Sequence, residues 1–138
     1  MQPDLSDFTR DLTTAWNEHD IPRILTFYDG NYIGEDVSRA TPILGHQGIE
    51  QAFCSILRAF PDLHITNREW VAQENRLAIA WKMQGTQLGA VMNVPPTGRK
   101  VSVQGGSFYA LEKGKILHGI HIWDVAGLLR TLRLLPDL

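Results

Sequence analysis

The spacing of apolar residues changes once along this chain, from that of helices to that of strands, and this change limits the folds that the chain can adopt. Before Asp62, apolar residues recur at the spacing of helices, as in Phe8, Leu12 and Trp16. After Asp62 they alternate with polar residues, as strands do. Helices that come first and are followed by long strands, without alternation of the two, predict an α+β fold with helices packed on an antiparallel sheet.

Three helices are predicted before the strands and one after them. The first covers roughly 6–18, and Asp20 is placed to cap the second. The third covers about 48–60 and stops before Pro61, because the residue before a proline avoids the helical region. The closing helix begins at Val125 and carries leucines at helical spacing.

The strands are predicted from residues of one parity that share a face. A short strand covers 31–36, and the last strand covers 116–124. In the two long strands between them the shared faces carry Leu77, Ile79, Trp81 and Met83, and Val101, Val103, Ser107 and Tyr109.

Length and charge favour one self-contained domain over 1–138. The 138 residues are 43% hydrophobic, which is enough for one core. The net charge is -2, and no basic cluster exceeds the pair Arg99-Lys100, so neither nucleic acid nor an anionic membrane is an expected partner. The chain has no signal-like apolar run near its start and no stretch that could span a bilayer, and a cytoplasmic location is expected.

The histidines and the cysteine do not have the spacing of a metal site. His118 and His121 are three apart on a predicted strand, where they face opposite ways. Cys54 lies within a helical apolar pattern and is expected to pack as a small apolar residue. We therefore expect that no metal is needed.

Four short stretches carry a family resemblance that covers nearly the whole chain. They are Ala59-Phe60-Pro61-Asp62-Leu63, Gly85-Thr86 with Gly89, Pro95-Pro96-Thr97-Gly98-Arg99, and Trp123-Asp124 followed by Gly127-Leu128-Leu129. In this order they resemble the SnoaL-like polyketide cyclases, or ester cyclases, of the nuclear-transport-factor-like superfamily.

The resemblance implies a fold and a kind of chemistry. The fold is a cone of helices that caps a strongly curved antiparallel sheet, a half-barrel with an internal pocket, usually as a homodimer. The chemistry is intramolecular aldol ring closure on a polyketide ester, without metal or organic cofactor. Other members of the superfamily carry out hydroxylation or isomerisation, because function belongs to the site and not to the scaffold.

Asp124 is the predicted acid/base residue. Alternation along the last strand places it on one face with His118, Ile120 and Ile122. If that face is concave, burial disfavours the charged carboxylate and makes it a better base near neutral pH. The family's acid/base aspartate matches Asp124. The alternative is that Asp124 caps the closing helix, and both roles can coexist.

His118 is the predicted catalytic helper, and the ordinary alternative is a histidine whose hydrogen bonds serve only packing. His121 has the opposite parity and is expected to face away. Ser107 stands where many cyclases carry a histidine, and Glu35-Asp36 stand where they show a His-Asp pair. A serine donates one hydrogen bond but carries no charge, so the oxyanion partner is weakened or relocated.

Apolar and aromatic side chains are expected to line a pocket for a small apolar carbonyl compound, although most aromatics are expected to be plain core. The predicted substrate-binding residues are Trp16, Tyr28, Glu35, Phe53, Trp81, Met83, Ser107, Ile120 and Ile122.

Three functions stay open at this stage. The first is a cofactor-independent cyclase, and the second is a related isomerase, hydrolase or hydroxylase. The third is non-catalytic binding of an apolar small molecule, which the residues at positions 35 and 107 favour. A homodimer is expected through the outer face of the sheet, whose parity carries Phe108 and Ala110.

Overall fold

The computed structural model describes residues 4–137, which form four helices packed on a six-stranded sheet. The helices are α1 (Ser6–Asn17), α2 (Ile21–Leu25), α3 (Gly45–Ala59) and α4 (Val125–Thr131). The strands are β1 (Tyr28–Asp36), β2 (Ile43–Leu44), β3 (His64–Gln73), β4 (Arg76–Thr86), β5 (Lys100–Glu112) and β6 (Lys115–Trp123). The predicted α+β class is confirmed.

The sheet is open, with the strand order β2-β1-β6-β5-β4-β3. Strands β3 to β6 pair antiparallel with their sequence neighbours, as predicted. Strand β1 instead lies parallel to β6, so the sheet is mixed and the expectation of a purely antiparallel sheet is wrong at this edge. A parallel neighbour requires a long crossover, and the chain from β2 to β5 supplies it.

Local sequence signals set most helix boundaries. Asp20 Oδ1 accepts a hydrogen bond from the Arg23 backbone N–H at 3.2 Å, which confirms the predicted cap of α2. Helix α3 ends at Ala59, before Pro61, as expected. It begins at Gly45, earlier than predicted, because Gly45 adopts a φ of +63° that turns the chain directly out of β2.

The core lies between the helices and one face of the sheet, here called the inner face. The parity predicted for the two long strands is confirmed, since Leu77, Ile79, Val101, Val103, Ser107 and Tyr109 are buried on this face. Buried residues from α1, α3 and α4 complete the core, among them Leu12, Ala15, Ile49, Phe53 and Leu128. Within residues 4–137 no helix is long and apolar enough to cross a membrane.

A β-bulge at Leu117 changes the face to which the rest of β6 points. Leu111 pairs with Ile116, whereas the preceding residue Ala110 pairs with His118, so Leu117 is the extra residue. A one-residue shift moves every following side chain to the other face of a strand. The inner face therefore carries Ile116 before the bulge and Gly119, His121 and Trp123 after it.

The bulge overturns the predicted orientations along β6. His121 lies on the inner face beside the buried Ser107, so the expectation that it faces away is wrong. His118, Ile120 and Ile122 do share a face, but it is the outer one. Unbroken alternation was the wrong assumption, because the strand contains one residue more than its partner.

Two glycines make room for a buried tyrosine on the inner face. A Cβ at Gly34 would lie 2.7 Å from Cζ of Tyr32, and a Cβ at Gly119 would lie 2.6 Å from its hydroxyl oxygen. Gly34 and Gly119 pair directly across β1 and β6, so the phenol ring lies against both strands. Tyr32 can therefore occupy this position only because residues 34 and 119 are glycines.

We predict that Gly34→Ala lowers the free energy of unfolding by about 1–3 kcal/mol, since the new methyl group overlaps a buried ring. Gly30→Ala is the matched control on the same strand, because a Cβ there meets nothing within 4 Å. It should stay within about 1 kcal/mol of the parent protein. Urea unfolding with an unchanged slope measures both values. Equal stability of the two variants would contradict the packing described for Tyr32.

Candidate active site

A polar row crosses the inner face where β1, β6 and β5 adjoin. Asp36 pairs with His121 across β1 and β6, and His121 pairs with Ser107 across β6 and β5. Side chains of paired residues on one face lie about 5 Å apart at their Cβ atoms. The row therefore brings a carboxylate, an imidazole and a hydroxyl together among apolar neighbours.

Ser107 is the centre of a hydrogen-bonded cluster. Its Oγ lies 2.7 Å from His121 Nδ1 and accepts a hydrogen bond from Trp81 Nε1–H at 2.9 Å. The hydroxyl of Tyr32 lies 3.4 Å from the other ring nitrogen of His121, Nε2, a much weaker contact. The imidazole is thus held firmly at Nδ1 and only loosely at Nε2.

Asp36 is oriented by its own strand end and by Trp123. Its Oδ1 accepts hydrogen bonds from the Ser38 backbone N–H at 2.9 Å, the Ser38 hydroxyl at 2.6 Å and Trp123 Nε1–H at 3.0 Å. These three bonds all use one carboxylate oxygen. The carboxylate is therefore fixed in place, and among residues 4–137 no hydrogen bond is made to its Oδ2.

Burial controls the charge of His121. Desolvation lowers the pKa of His121 below its usual value of 6.5, and the nearby Asp36 carboxylate opposes part of that effect. Since the net direction is downward, His121 is mostly neutral at pH 7. A neutral imidazole has one nitrogen that donates and one that accepts, and is suited to acid–base chemistry.

Three tyrosines form the buried end of this site. The rings of Tyr28 and Tyr32 meet edge to face at 4.9 Å, and the ring of Tyr109 meets His121 at 5.6 Å. Burial raises the pKa of all three phenols above 10, most strongly for Tyr28 and Tyr32. They therefore stay protonated and can act as hydrogen-bond donors at neutral pH.

Asp124 is exposed at the start of α4, where its Oδ1 accepts a hydrogen bond from the Gly127 backbone N–H at 2.8 Å. The cap that the sequence offered as one of its two roles is confirmed. The burial on which its predicted basicity depended is not found. The predicted catalytic role of Asp124 has no support from its surroundings and stays a prediction.

His118 lies on the outer face, with Nε2 4.0 Å from Oε1 of Glu35 and 43% of its side chain exposed. Glu35 is also exposed, and Ile120 and Ile122 share this face with it. The bulge in β6 is the reason that His118, Ile120 and Ile122 point outward. These four predicted site residues, His118, Glu35, Ile120 and Ile122, therefore lie on the opposite side of the sheet from the polar row.

The other predicted substrate-binding residues lie on the inner side. Trp81, Met83 and Ser107 project from the inner face of β4 and β5, the first two half-buried and Ser107 buried. Trp16 is half-buried, and its ring meets Phe53 edge to face at 4.6 Å. Phe53 and Tyr28 are buried core residues. Of these residues, Trp81 is bonded directly to the polar row through Ser107, and Tyr28 packs against Tyr32.

Sequence reasoning did not predict site roles for His121, Tyr32 and Trp123, and it named Asp36 only within the Glu35-Asp36 pair that stands where many cyclases show a His-Asp pair. One usable signal was the alternation of Gly119, His121 and Trp123 on one face of β6. A glycine in a strand leaves space for a large side chain from a neighbouring strand, which here is Tyr32. No signal marked Leu117 as the bulge. Within residues 4–137, no three His, Cys, Asp or Glu side chains are grouped closely enough to hold a metal ion.

A model of the SnoaL-like polyketide cyclase family matches residues 6–132. The chain belongs to the SnoaL-like polyketide cyclase family. The resemblance read from the four sequence stretches is confirmed. No protein of curated function matches this chain in sequence.

Solved structures similar to this SnoaL-like protein carry different suggested activities. A SnoaL-like polyketide cyclase from Agrobacterium tumefaciens has a TM-score of 0.80 at 25% identity, over 95% of this chain and 99% of that chain. IdmH from Streptomyces antibioticus, with polyketide cyclisation suggested, has a TM-score of 0.82 at 22% identity, over 95% and 99%. AclR from Streptomyces galilaeus, with hydroxylation suggested, has a TM-score of 0.84 at 24% identity, over 96% and 86%. The fold is shared, and it does not select the reaction.

The raised pKa values of the phenols give a testable pH dependence. The chain has three tyrosines, and all are buried. Because folding favours their protonated forms, this stabilisation is complete below pH 10 and is lost as the pH rises above it. We predict almost no phenolate absorbance from the folded protein near pH 10, and the appearance of all three phenolates with alkaline unfolding.

Absorbance in the phenolate band, followed together with circular dichroism, measures this. The protein unfolded in urea is the control and should be half ionised near the ordinary value of 10. A tyrosine that ionised near pH 10 while the circular dichroism remained native would contradict the burial described here.

Proposed function

We propose that this protein is a cofactor-independent enzyme that moves a proton next to the carbonyl group of a small apolar compound, leading to an aldol-type cyclisation. The family contains polyketide cyclases, which supports an enzyme. The observation that carries the proposal is the row of Asp36, His121 and Ser107 on the inner face. A base, a donor and an apolar surround are what enolate formation requires.

His121 and Asp36 are the proposed proton-transfer pair. His121 is mostly neutral at pH 7, since burial lowers its pKa, and it can donate or accept one proton. Asp36 pairs with it across β1 and β6, and its carboxylate is held by three donors at Oδ1. An imidazole beside a carboxylate can serve as a pair of proton-transfer groups.

Half-buried aromatic and apolar side chains support an apolar substrate. Trp16, Trp81, Met83 and Trp123 pack against the core while keeping part of their surface exposed. Such side chains bind a planar compound by its face, and the polar row orients its oxygen atoms. The same arrangement suits an isomerase, because proton removal next to a carbonyl is the first step of both reactions.

Site-directed variants decide between the polar row and Asp124. The substrate is first sought among molecules that co-purify with the protein, by mass spectrometry, and among β-keto esters and related polyketide mimics. His121→Gln and Asp36→Asn should each lower kcat about a hundredfold to ten-thousandfold, because each removes a proton-transfer group. Asp124→Asn keeps the cap of α4 and should retain most of the turnover.

Each alternative has its own outcome in this experiment. Loss of turnover in Asp124→Asn, with normal rates in His121→Gln and Asp36→Asn, would return the acid/base role to Asp124. Tight binding of a co-purified compound that no variant or parent protein converts would favour the non-catalytic function. Circular dichroism of each variant separates loss of chemistry from loss of fold.

We also propose that two copies associate through the outer face of the sheet. Phe108, Ile122 and Ile33 are 51%, 49% and 47% exposed there. A groove of about 380 Å³ runs beside them, lined by Phe108, Ala110, His118 and Ile120 among others. Large apolar side chains grouped on one face are favourable to cover.

For this dimer we predict that Phe108→Glu converts the protein to a monomer, because it places a charge in the apolar contact. Gln47→Glu is the matched control, since it adds the same charge at an exposed position of α3. Light scattering at micromolar concentration gives both masses. A monomer mass for the parent protein, or a dimer mass for Phe108→Glu, would contradict this interface.

A further inference from the structure

Trp81 lies in a place that the backbone of β5 leaves open for it. Gly105 pairs with Trp81 across β4 and β5, and a Cβ on Gly105 would lie 2.5 Å from Cζ2 and 2.6 Å from Cη2 of the indole. No side chain larger than hydrogen fits at Gly105 while the indole keeps this position. The indole N–H is thereby directed at Ser107 Oγ, 2.9 Å away.

The indole favours one direction for the next hydrogen bond. An indole N–H can only donate, so Ser107 Oγ must accept from Trp81. Ser107 is only 2% exposed, which limits exchange of its partners with water. An oxygen that accepts one hydrogen bond donates its own proton more strongly, and His121 Nδ1 lies 2.7 Å from it.

The contact from Tyr32 to the imidazole is too weak to oppose this direction. Tyr32 lies 3.4 Å from His121 Nε2, beyond the normal range for a hydrogen bond to nitrogen. The hydroxyl of Tyr109 is another neighbour of Ser107 and is the competitor to be tested. If Ser107 donates to Nδ1, the single proton of neutral His121 lies on Nε2.

We propose that Trp81 is a positioning residue that acts through Ser107 to hold the proton of neutral His121 on Nε2. Resting on the proposed function, this divides the roles within the pair. His121 Nε2–H donates a hydrogen bond to the carbonyl oxygen of the substrate. Asp36 accepts the proton as the adjacent C–H bond breaks, and the electron pair of that bond delocalises on to the carbonyl oxygen as an enolate. Asp36 later returns the proton.

The test is the tautomer of His121 in the free protein, read from long-range proton–nitrogen correlation spectra at a pH where the ring is neutral. The His121→Gln spectrum assigns the signals among the five histidines. We expect the parent protein to carry the proton mainly on Nε2. Trp81→Phe removes the N–H donor together with part of the indole ring, and should lower the ratio of Nε2–H to Nδ1–H by about fivefold, the value of one typical hydrogen bond.

Two glycine variants test the same idea without touching Trp81, Ser107 or His121. Gly105→Ala would place its Cβ 2.5 Å from the indole and 2.9 Å from the Ile122 carbonyl oxygen. Because it displaces the indole, it should shift the tautomer ratio in the same direction as Trp81→Phe, and circular dichroism checks that the sheet is kept. Gly106→Ala is the matched control, because its new Cβ would lie 3.7 Å from the nearest atom, the Ile79 carbonyl oxygen. Its spectrum should match that of the parent protein.

A proton on Nδ1 in the parent protein, or an unchanged ratio in Trp81→Phe, would overturn the positioning role. So would a shift caused by Tyr109→Phe and not by Trp81→Phe, since Tyr109 would then set the direction. These spectra need no substrate. Normal turnover in His121→Gln would remove the proposed function and leave the tautomer result standing, so the two failures are distinguishable.

Discussion

The site depends on one extra residue in β6. Leu117 has no partner opposite it, and the bulge turns His121 to the inner face, where it meets Ser107. Without it, regular alternation would direct His118 inward and His121 to the outer surface. The polar row, the lowered pKa of His121 and the contact with Tyr32 all follow from this local change of register.

Three glycines allow two large rings to pack closely against the sheet. Gly34 and Gly119 leave space for the phenol of Tyr32, and Gly105 leaves space for the indole of Trp81. A ring packed against backbone has few alternative rotamers, so the hydrogen bond from Trp81 to Ser107 has a fixed direction.

The site also answers a question raised by the family resemblance. Many cyclases are expected to carry a histidine where this chain has Ser107, and a serine cannot supply a charged group. His121 lies directly opposite Ser107 on the neighbouring strand, so an imidazole occupies the same row from the other side. The row thus contains an imidazole, although it comes from β6 and not from β5.

The sequence by itself determined the α+β class, the family, most helix limits, and the inward faces of β4 and β5. Periodicity and capping depend on residues close together in the sequence. They therefore predict helix limits, and they predict strand faces wherever a strand pairs without a bulge. Only the tertiary structure decided the parallel pairing of β1 with β6 and the inward orientation of His121. A bulge is a mismatch between two strands far apart in sequence, so neither strand alone contains it. For the same reason the sequence was consistent with Asp124 as a cap or as a base. Its exposure at the start of α4 depends on how the end of β6 is placed.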